Sequence, residues 1–177
     1  MKIHAIQDSS DQVTIDILKR GLAQITEPDM IKNYHPDYER DPANLFYLLR
    51  QGERYRTGNY YIAVEDDKYV GSAGWNWYQD DIALALTRAY VLKEYRQRFI
   101  MTTYFLPRIL QETVDYNRIW CTCNEYNKAI YYGFVRLSQG KSAGLNNAWP
   151  KEYSKFIPIG IQRVNHTDQY VAEYKRN

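Results

Sequence analysis

The fold of this chain is decided by the stretch VLKEYRQRFIMTTYFLPRIL, residues 91–110. The stretch begins as the end of an apolar strand, passes through a charged turn and continues with apolar residues at helical spacing. A helix start leaves N–H groups without partners and carries a partial positive charge, so this order of elements is a common way to hold a phosphate. The turn at residues 96–101 contains two arginines but lacks the glycine that usually lets a phosphate approach the backbone.

The strand that leads into this turn is predicted to lie in the centre of a sheet. It reads DIALALTRAYV, residues 81–91, and its side chains alternate between a large apolar face and a small one. Because both faces are apolar, both should be buried, and the small face leaves room for a ligand. The predicted large face holds Ile82, Leu84 and Leu86, and the small face holds Ala83, Ala85, Thr87 and Ala89.

The remaining segments predict a mixed sheet flanked by helices. A strand at KIHAIQ precedes predicted helices over residues 11–24 and 43–51. Two strands follow around the turn at residues 65–68, and later a strand at RIWCTC and a last hairpin at residues 156–175. Helices are predicted over residues 97–116, where Pro107 must kink or loosen the helix, and over residues 124–137. The order favours an α/β (α+β) fold with a mixed, mostly antiparallel sheet, as a single domain over residues 1–177.

Composition and charge exclude several classes of protein. The chain has 177 residues with a net charge of +2, which gives no large electrostatic footprint for nucleic acid. The N-terminus lacks the apolar region of a signal peptide, and no run approaches a membrane span of about 20 apolar residues, so we expect a cytoplasmic protein. No Cys and His spacing suits a metal, so none is predicted, and the sequence leaves monomer and homodimer open.

Three sequence features together resemble a known family. Residues 91–101 fit, without a gap, a pattern in which Val and then Arg or Gln precede a glycine-containing turn that starts a helix. The segment NEYNKAI, residues 124–130, starts the helix after the next strand, and the hairpin YYIAVEDDKYVGSAGW, residues 60–75, precedes both. These features resemble the GNAT superfamily of acyl-CoA-dependent N-acetyltransferases, and the likeness is best from Tyr60 to Leu137.

The resemblance implies that the chain binds acetyl-CoA. The amides of Arg98 to Thr102 would meet the pyrophosphate, with charge added by Arg96 and Arg98, and the backbone of residues 90–92 would bind the pantetheine arm. The implied cofactor-binding residues are Tyr90, Val91, Leu92, Arg96, Gln97, Arg98, Phe99, Ile100, Met101, Thr102, Asn124 and Asn127. Asn124 and Asn127 are equally well explained as caps of the following helix.

Two positions depart from the pattern of the family. Phe99 and Met101 stand where the family has glycines, but a helical backbone needs no glycine. We therefore expect the amides to be aimed correctly and the Phe99 ring to point into the core. The family often has a tyrosine four residues after the alanine of the second motif, where this chain has Gly133. Gly133 is expected to lie inside the helix.

Acyl transfer to an amine needs a group that removes a proton and a group that supplies one. A lysine-like amine with a pKa of about 10.4 is almost fully protonated at pH 7. Glu125 is the candidate base, with water as an equally good alternative, and Tyr131 or Tyr132 would replace the missing tyrosine as the acid.

Three functions from different classes fit the sequence. The first is an enzyme that moves an acetyl group from acetyl-CoA to a small-molecule or peptide primary amine in a ternary complex. The second is a binding module that keeps the fold but has lost catalysis, as indicated by Phe99 and Gly133. The third is a related enzyme that modifies nucleic-acid bases, which the basic C-terminal third favours and the modest net charge opposes.

Overall fold

The computed structural model describes residues 1–5, 12–24, 58–123, 128–141, 151–164 and 166–176. These residues contain seven strands: β1 (Lys2–Ala5), β2 (Gly58–Glu65), β3 (Lys68–Gln79), β4 (Ile82–Val91), β5 (Arg118–Cys123), β6 (Phe156–Val164) and β7 (Thr167–Lys175). They form one sheet in the order β1-β2-β3-β4-β5-β7-β6. β4 and β5 are parallel, and every other neighbouring pair is antiparallel. The predicted mixed, mostly antiparallel sheet is confirmed.

Three helices accompany the sheet within the described residues: α1 (Gln12–Leu22), α2 (Leu106–Glu112) and α3 (Ala129–Ser138). Short 3-10 turns follow β4 at Lys93–Tyr95 and precede β6 at Lys151–Lys155. Helix α1 confirms the helix predicted over residues 11–24, and the predicted hairpins β2–β3 and β6–β7 are also confirmed. The helix predicted over residues 43–51 lies outside the described residues.

The helix predicted over residues 97–116 is shorter than expected and changes its winding. Helical structure begins at Ile100, passes through a π-helical turn at Met101–Phe105 and continues as α2 to Glu112. Pro107 has no N–H to donate to a carbonyl of the preceding turn, and the wider turn directly before it agrees with the predicted loosening.

The helices divide the sheet into two faces. Helices α2 and α3 cover what we call the α2 face, where Phe105, Ile109 and Phe134 pack with Ala83 and Ala85 of β4. Helix α1 covers part of the opposite face, the α1 face, where its Leu18 is fully buried in a cluster with residues of β2, β3 and β4. The chain therefore places different elements on the two sides of β4.

One carboxylate ties the end of α2 to β2 and β3. Glu112 Oε2 accepts hydrogen bonds from Asn59 Nδ2 at 3.2 Å and from Trp75 Nε1 at 3.3 Å. The Tyr61 hydroxyl donates to the same oxygen, and Arg108 Nε donates to Oε1 at 2.9 Å. Burial alone would raise the pKa of Glu112, but these hydrogen bonds and the charge on Arg108 bring its pKa below the ordinary value.

The two ends of α2 and its π-helical turn are also held from the C-terminal part of the chain. The Arg176 guanidinium donates to the carbonyl oxygens of Leu110 and Thr113, and the Tyr153 hydroxyl donates to the Thr102 carbonyl at 2.5 Å. Tyr153 is fully buried. The whole helical segment is therefore fixed in position against the sheet.

Helix α1 approaches the sheet closely at a glycine. Gly21 lies on the ring of Tyr69, and a Cβ at this position would be 2.1 Å from Tyr69 Cγ. The Tyr69 side chain is buried, and its hydroxyl is hydrogen-bonded to Ser72 Oγ at 2.6 Å, so the ring is held in place. Only a residue without a side chain fits between α1 and this ring.

We expect Gly21→Ala to destabilise the protein although alanine is the better helix former. The clash with the Tyr69 ring should lower the free energy of unfolding by about 1–3 kcal/mol, as overpacking does elsewhere. Arg20→Ala is the matched control, because Arg20 is exposed on the same helix. Thermal unfolding measures both variants, and a melting temperature for Gly21→Ala at or above that of the parent would contradict the close contact.

We expect Glu112→Gln to lower the free energy of unfolding at pH 7 by about 2 kcal/mol, since hydrogen bonds to a charged group contribute roughly 1.5–3 kcal/mol. The folded-state pKa of Glu112 is lowered, so its stabilising effect is present above the unfolded pKa of about 4.3 and is lost as the pH falls through the folded pKa. The difference between parent and variant, measured by urea unfolding, should shrink below that pH. Glu94→Gln, at an exposed position, should change the free energy of unfolding little. A difference for Glu112→Gln that stays constant across pH would contradict the stabilising role of the ionised Glu112 carboxylate.

Candidate active site

Over residues 85–91, β4 contains two more residues than the stretch of β3 that pairs with it, residues 71–75. Between the pairs 75/85 and 74/87, β4 advances two residues while β3 advances one. Between the pairs 74/87 and 72/90, β4 advances three residues while β3 advances two. Two β-bulges therefore lie in the middle of the central strand, where such irregularities redirect side chains.

At the first bulge, the side chains of β4 depart from the predicted alternation between the two faces of the sheet. Leu86 has a φ of 58°, which is uncommon for a residue with a branched side chain. It belongs to the core of the α2 face with Ala83 and Ala85, and not to the opposite face with Ile82 and Leu84. The prediction for Leu86 was wrong because a strict period of two cannot continue through an extra residue.

β4 separates from β5 at the same place. The parallel pairing runs from Ile82↔Arg118 to Ala85↔Cys121 and ends there, although β4 continues to Val91 and β5 to Cys123. Within the described residues, the edge of β4 that faces β5 is therefore unpaired from residue 86 onward. Where two strands cease to pair, their backbone N–H and C=O groups become available to a ligand. We call this unpaired region between β4 and β5 the opening.

The end of β4 directs alternate backbone groups into this opening. Leu92 N–H donates to the Val70 carbonyl at 2.9 Å, so the backbone of Leu92 faces β3. In an antiparallel pair the direction alternates, which turns the backbone groups of Tyr90 toward β3 and those of Val91 toward the opening. The Leu92 amide, one of the predicted contacts of the pantetheine arm, is thus already bonded, and Val91 is the residue of the predicted trio whose backbone groups face away from β3.

The turn after β4 needs two residues in the left-handed backbone region. Gln97 has a φ of 67° and Phe99 a φ of 55°. The expectation that this turn is helical and has no need of glycine is wrong at Phe99, where helical structure has not yet begun. Phenylalanine adopts at some energetic cost a conformation that glycine reaches freely. Met101, at the second glycine position, is already inside the helical segment.

The start of the helical segment leaves backbone N–H groups available. The amides of Thr102 and Thr103 donate to the Phe99 carbonyl at 3.1 and 2.8 Å. The Thr102 amide, included among the predicted phosphate donors, is therefore already bonded. Within the described residues, the amides of residues 98–101 donate to no backbone carbonyl. They form a cluster of donors at the positive end of a 13-residue helical segment, from Ile100 to Glu112.

The two arginines of the turn are engaged with their surroundings. Arg98 donates from both terminal nitrogens to the two carboxylate oxygens of Glu65, each at 2.8 Å, and its guanidinium lies 5.5 Å from the centre of the Tyr95 ring. Arg96 Nε donates to the Val91 carbonyl at 3.0 Å, and its guanidinium lies over the Tyr90 ring. Glu65, at the turn between β2 and β3, thus pairs with Arg98 and lowers the net positive charge of the turn after β4.

The two tyrosines predicted as the acid differ in their surroundings, and the residue predicted as the base is not described. Gly133 lies inside α3, as expected. Tyr131 is half-buried and its ring centroid lies 5.2 Å from that of Tyr170 on β7, which is the neighbour of β5 on the side away from β4. Tyr132 is 51% exposed. Glu125, with Asn124 and Asn127, lies outside the described residues.

Neither cysteine has the character of a nucleophile. Cys121 and Cys123 are buried free thiols in β5. Burial and the nearby Cys123 raise the pKa of Cys121, and burial raises the pKa of Cys123 to about 11. Thiols with raised pKa values are inert at neutral pH.

A metal-binding cluster and a membrane-spanning helix are both absent from the part of the chain that the structure describes. No three side chains of His, Cys, Asp or Glu come together there in a way that would hold a metal ion. No helix there is both long and apolar enough to cross a membrane.

Sequence reasoning gave no role to the side chain of Thr87. Its hydroxyl is buried, and among the described residues it is the one buried side-chain polar atom that has no hydrogen-bond partner. It lies at the first bulge, beside the opening between β4 and β5. A polar residue within the apolar run DIALALTRAYV was the available signal, but the predicted alternation gave it an ordinary place on the small face.

The sequence matches no protein-family model and no curated protein. Solved structures do match over nearly the full length, among them an N-acetyltransferase named PaiA from Thermoplasma acidophilum in complex with coenzyme A, with 14% identity, a TM-score of 0.60, and coverage of 99% of this chain and 100% of that chain. A ribosomal-protein-alanine N-acetyltransferase from Brucella melitensis gives 16% identity, a TM-score of 0.59, and coverage of 99% and 100%.

A GNAT-family acetyltransferase from Staphylococcus aureus gives 14% identity, a TM-score of 0.56, and coverage of 98% of this chain and 99% of that chain. At such low identity these similarities concern the fold, which functions of several kinds can share. The likeness spans the mixed sheet, the bulged central strand and the helix that follows it. The chain has the fold of the GNAT acetyltransferases.

Proposed function

We propose that this protein is an N-acetyltransferase that moves the acetyl group of acetyl-CoA to a primary amine. The observation that carries the proposal is the end of pairing between β4 and β5 after residue 85, together with the amides of residues 98–101, which donate to no backbone carbonyl among the described residues. An extended ligand with amide groups in its middle and phosphates at one end matches both features. Acetyl-CoA is such a ligand, and a protein of the same fold is known in complex with coenzyme A.

The phosphates would bind at the helix start. Backbone N–H groups and the helix dipole favour anions there, and Arg96 and Arg98 lie on the same turn. The pairing of Arg98 with Glu65 means that Arg98 brings little net charge, so Arg96 is the more important of the two. Gln97 and Phe99 shape the turn through their left-handed backbone.

The pantetheine arm would pair with Val91 in the manner of an added strand. The N–H of Val91 faces the opening, while its carbonyl accepts a hydrogen bond from Arg96 Nε. A pantetheine amide that donates to this carbonyl would take the place of Arg96 Nε in this hydrogen bond.

The chemistry would be direct attack in a ternary complex. The neutral amine forms a C–N bond with the thioester carbon, the carbonyl oxygen is stabilised by a backbone N–H of the β4 segment 87–91, and the C–S bond breaks. The raised pKa values of both cysteines support direct transfer over an acyl-cysteine intermediate. Water, or Glu125 as predicted from sequence, would take the proton of the amine, and exposed Tyr132 or Tyr131 would protonate the leaving thiolate.

The alternative of a nucleic-acid base-modifying enzyme receives less support. Of the basic residues in the C-terminal third, Lys175 pairs with Glu173 at 3.3 Å and Arg163 pairs with Asp168 at 3.1 Å. The Arg176 guanidinium is bound to backbone carbonyls of α2 and the following turn. These cations serve the fold or are neutralised, so we favour a small-molecule or peptide amine.

Acetyl-CoA binding tests the proposal directly. A ligand that binds only the folded state stabilises it by about 2.7 kcal/mol at a concentration of 100 Kd, so millimolar acetyl-CoA should raise the melting temperature. Isothermal titration calorimetry should then give a Kd for acetyl-CoA, and release of free CoA thiol should be detected when primary amines are added. The amines to be tested are a peptide with an N-terminal alanine, free lysine and a linear polyamine.

Charge reversal locates the cofactor. Arg96→Glu should weaken acetyl-CoA binding about tenfold or more, since it replaces an attractive charge by a repulsive one beside the phosphates. Arg163→Glu is the control, because Arg163 is an exposed arginine on β6. If acetyl-CoA neither stabilises nor binds the parent protein, the proposed function is wrong and the binding-module alternative gains support.

Substitution by glycine should have different effects at Phe99 and at Met101, the two positions where the family has glycine. Phe99→Gly relieves a left-handed residue, so we expect the free energy of unfolding to rise by about 1 kcal/mol. Glycine also lets a phosphate approach the backbone, so we expect acetyl-CoA affinity to rise several-fold. Met101→Gly lies within the helical segment and should lower stability by about 1 kcal/mol with no gain in affinity. Calorimetry and thermal unfolding measure both variants, and an equal affinity gain in the two would contradict the role of the Phe99 backbone.

A further inference from the structure

The Thr87 hydroxyl lacks a hydrogen-bond partner among the described residues, and the fold alone does not explain why. It is buried, and no donor or acceptor among the described residues is within hydrogen-bonding distance. Buried hydroxyl groups in proteins are nearly always hydrogen-bonded, since losing water without gaining a partner is unfavourable. A buried polar atom without a partner among the described residues is therefore a candidate contact for a ligand.

The side chain of Thr87 points to the α1 face of the sheet. Thr87 pairs with Gly74, which in turn pairs with Tyr60, and the Tyr60 ring belongs to the cluster covered by α1. The Oγ1 atom lies 3.4 Å from the place where a Cβ of Gly74 would be. Leu86, the residue before Thr87, points to the opposite face, as consecutive residues of a strand do.

This direction distinguishes the two substrates of the proposed reaction. The helical segment that would hold the phosphates lies on the α2 face, so the cofactor enters the opening from that side. An amine that attacks the thioester has to approach from the other side of β4, where Thr87 points. The first bulge is also where β4 leaves β5, so Thr87 lies at the inner end of the opening.

We infer that the Thr87 hydroxyl accepts a hydrogen bond from the N–H of the attacking primary amine and orients its lone pair toward the acetyl carbon; this rests on the proposed function. The hydroxyl is a binding group and takes no proton. The amine nitrogen forms the C–N bond, the C–S bond breaks with its electrons going to the thiolate, and water removes the proton of the amine. Thr87 would favour acceptors with a free N–H directed at it.

Thr87→Val tests the inference, because valine keeps the shape and removes the hydroxyl. We expect the melting temperature to rise by about 2–4 °C, since an unpaired buried hydroxyl is lost. The KM for the best amine of the panel should rise about tenfold, and the Kd for acetyl-CoA should stay within about twofold of the parent value. Thr87→Ser should restore the KM.

Thr113→Val is the matched control. Thr113 is fully buried, and its hydroxyl donates to the Ile109 carbonyl at 2.8 Å, so the same substitution removes a satisfied group. Its melting temperature should fall with an unchanged KM for the amine. A fall in the melting temperature of Thr87→Val, or an unchanged amine KM, overturns the inference about Thr87 while acetyl-CoA binding stays intact. Loss of acetyl-CoA binding in the parent instead overturns the proposed function, and the inference with it.

Discussion

The parallel contact between β4 and β5 is limited to four residue pairs, and the other features of the site depend on this limit. Over residues 85–91, β4 has two residues more than the stretch of β3 beside it, and after Ala85 it no longer pairs with β5 among the described residues. The separated half of β4 turns the backbone of Val91 into the opening and ends in the turn that starts the helix. A regular strand of the same length would have buried these groups in a continuous sheet.

An opening in a sheet is useful only if its borders are fixed, and the helical segment after β4 is held along its length. Glu112 binds it to β2 and β3 at one end, Arg176 binds its last carbonyls, and the buried Tyr153 binds the Thr102 carbonyl at the other end. These contacts come from distant parts of the chain. The amides of residues 98–101 are thus positioned before any ligand arrives, which reduces the entropy lost on binding.

The sequence predicted the sheet, the order of its elements and the strand–turn–helix segment because these follow from the periods of apolar residues and from turn chemistry. It did not predict the position of Leu86, since a bulge breaks the period without leaving a mark in residue type. It also missed the pairing of Arg98 with Glu65, which joins residues 33 apart in sequence. The backbone of Phe99 was misjudged because a family glycine was read as a need for space and not as a need for a left-handed φ.

The π-helical turn at Met101–Phe105 sets the rotational phase of the helix that follows the turn. The Leu106 N–H donates to the Met101 carbonyl, one residue farther back than in an α-helix, so the turn contains one residue more than the standard winding needs. Each added residue rotates an α-helix by about 100°. The extra residue thus lets the buried side of α2 keep its packing while the first amides point in another direction, and insertions or deletions in this turn offer evolution a means of re-aiming the donors without rebuilding the core.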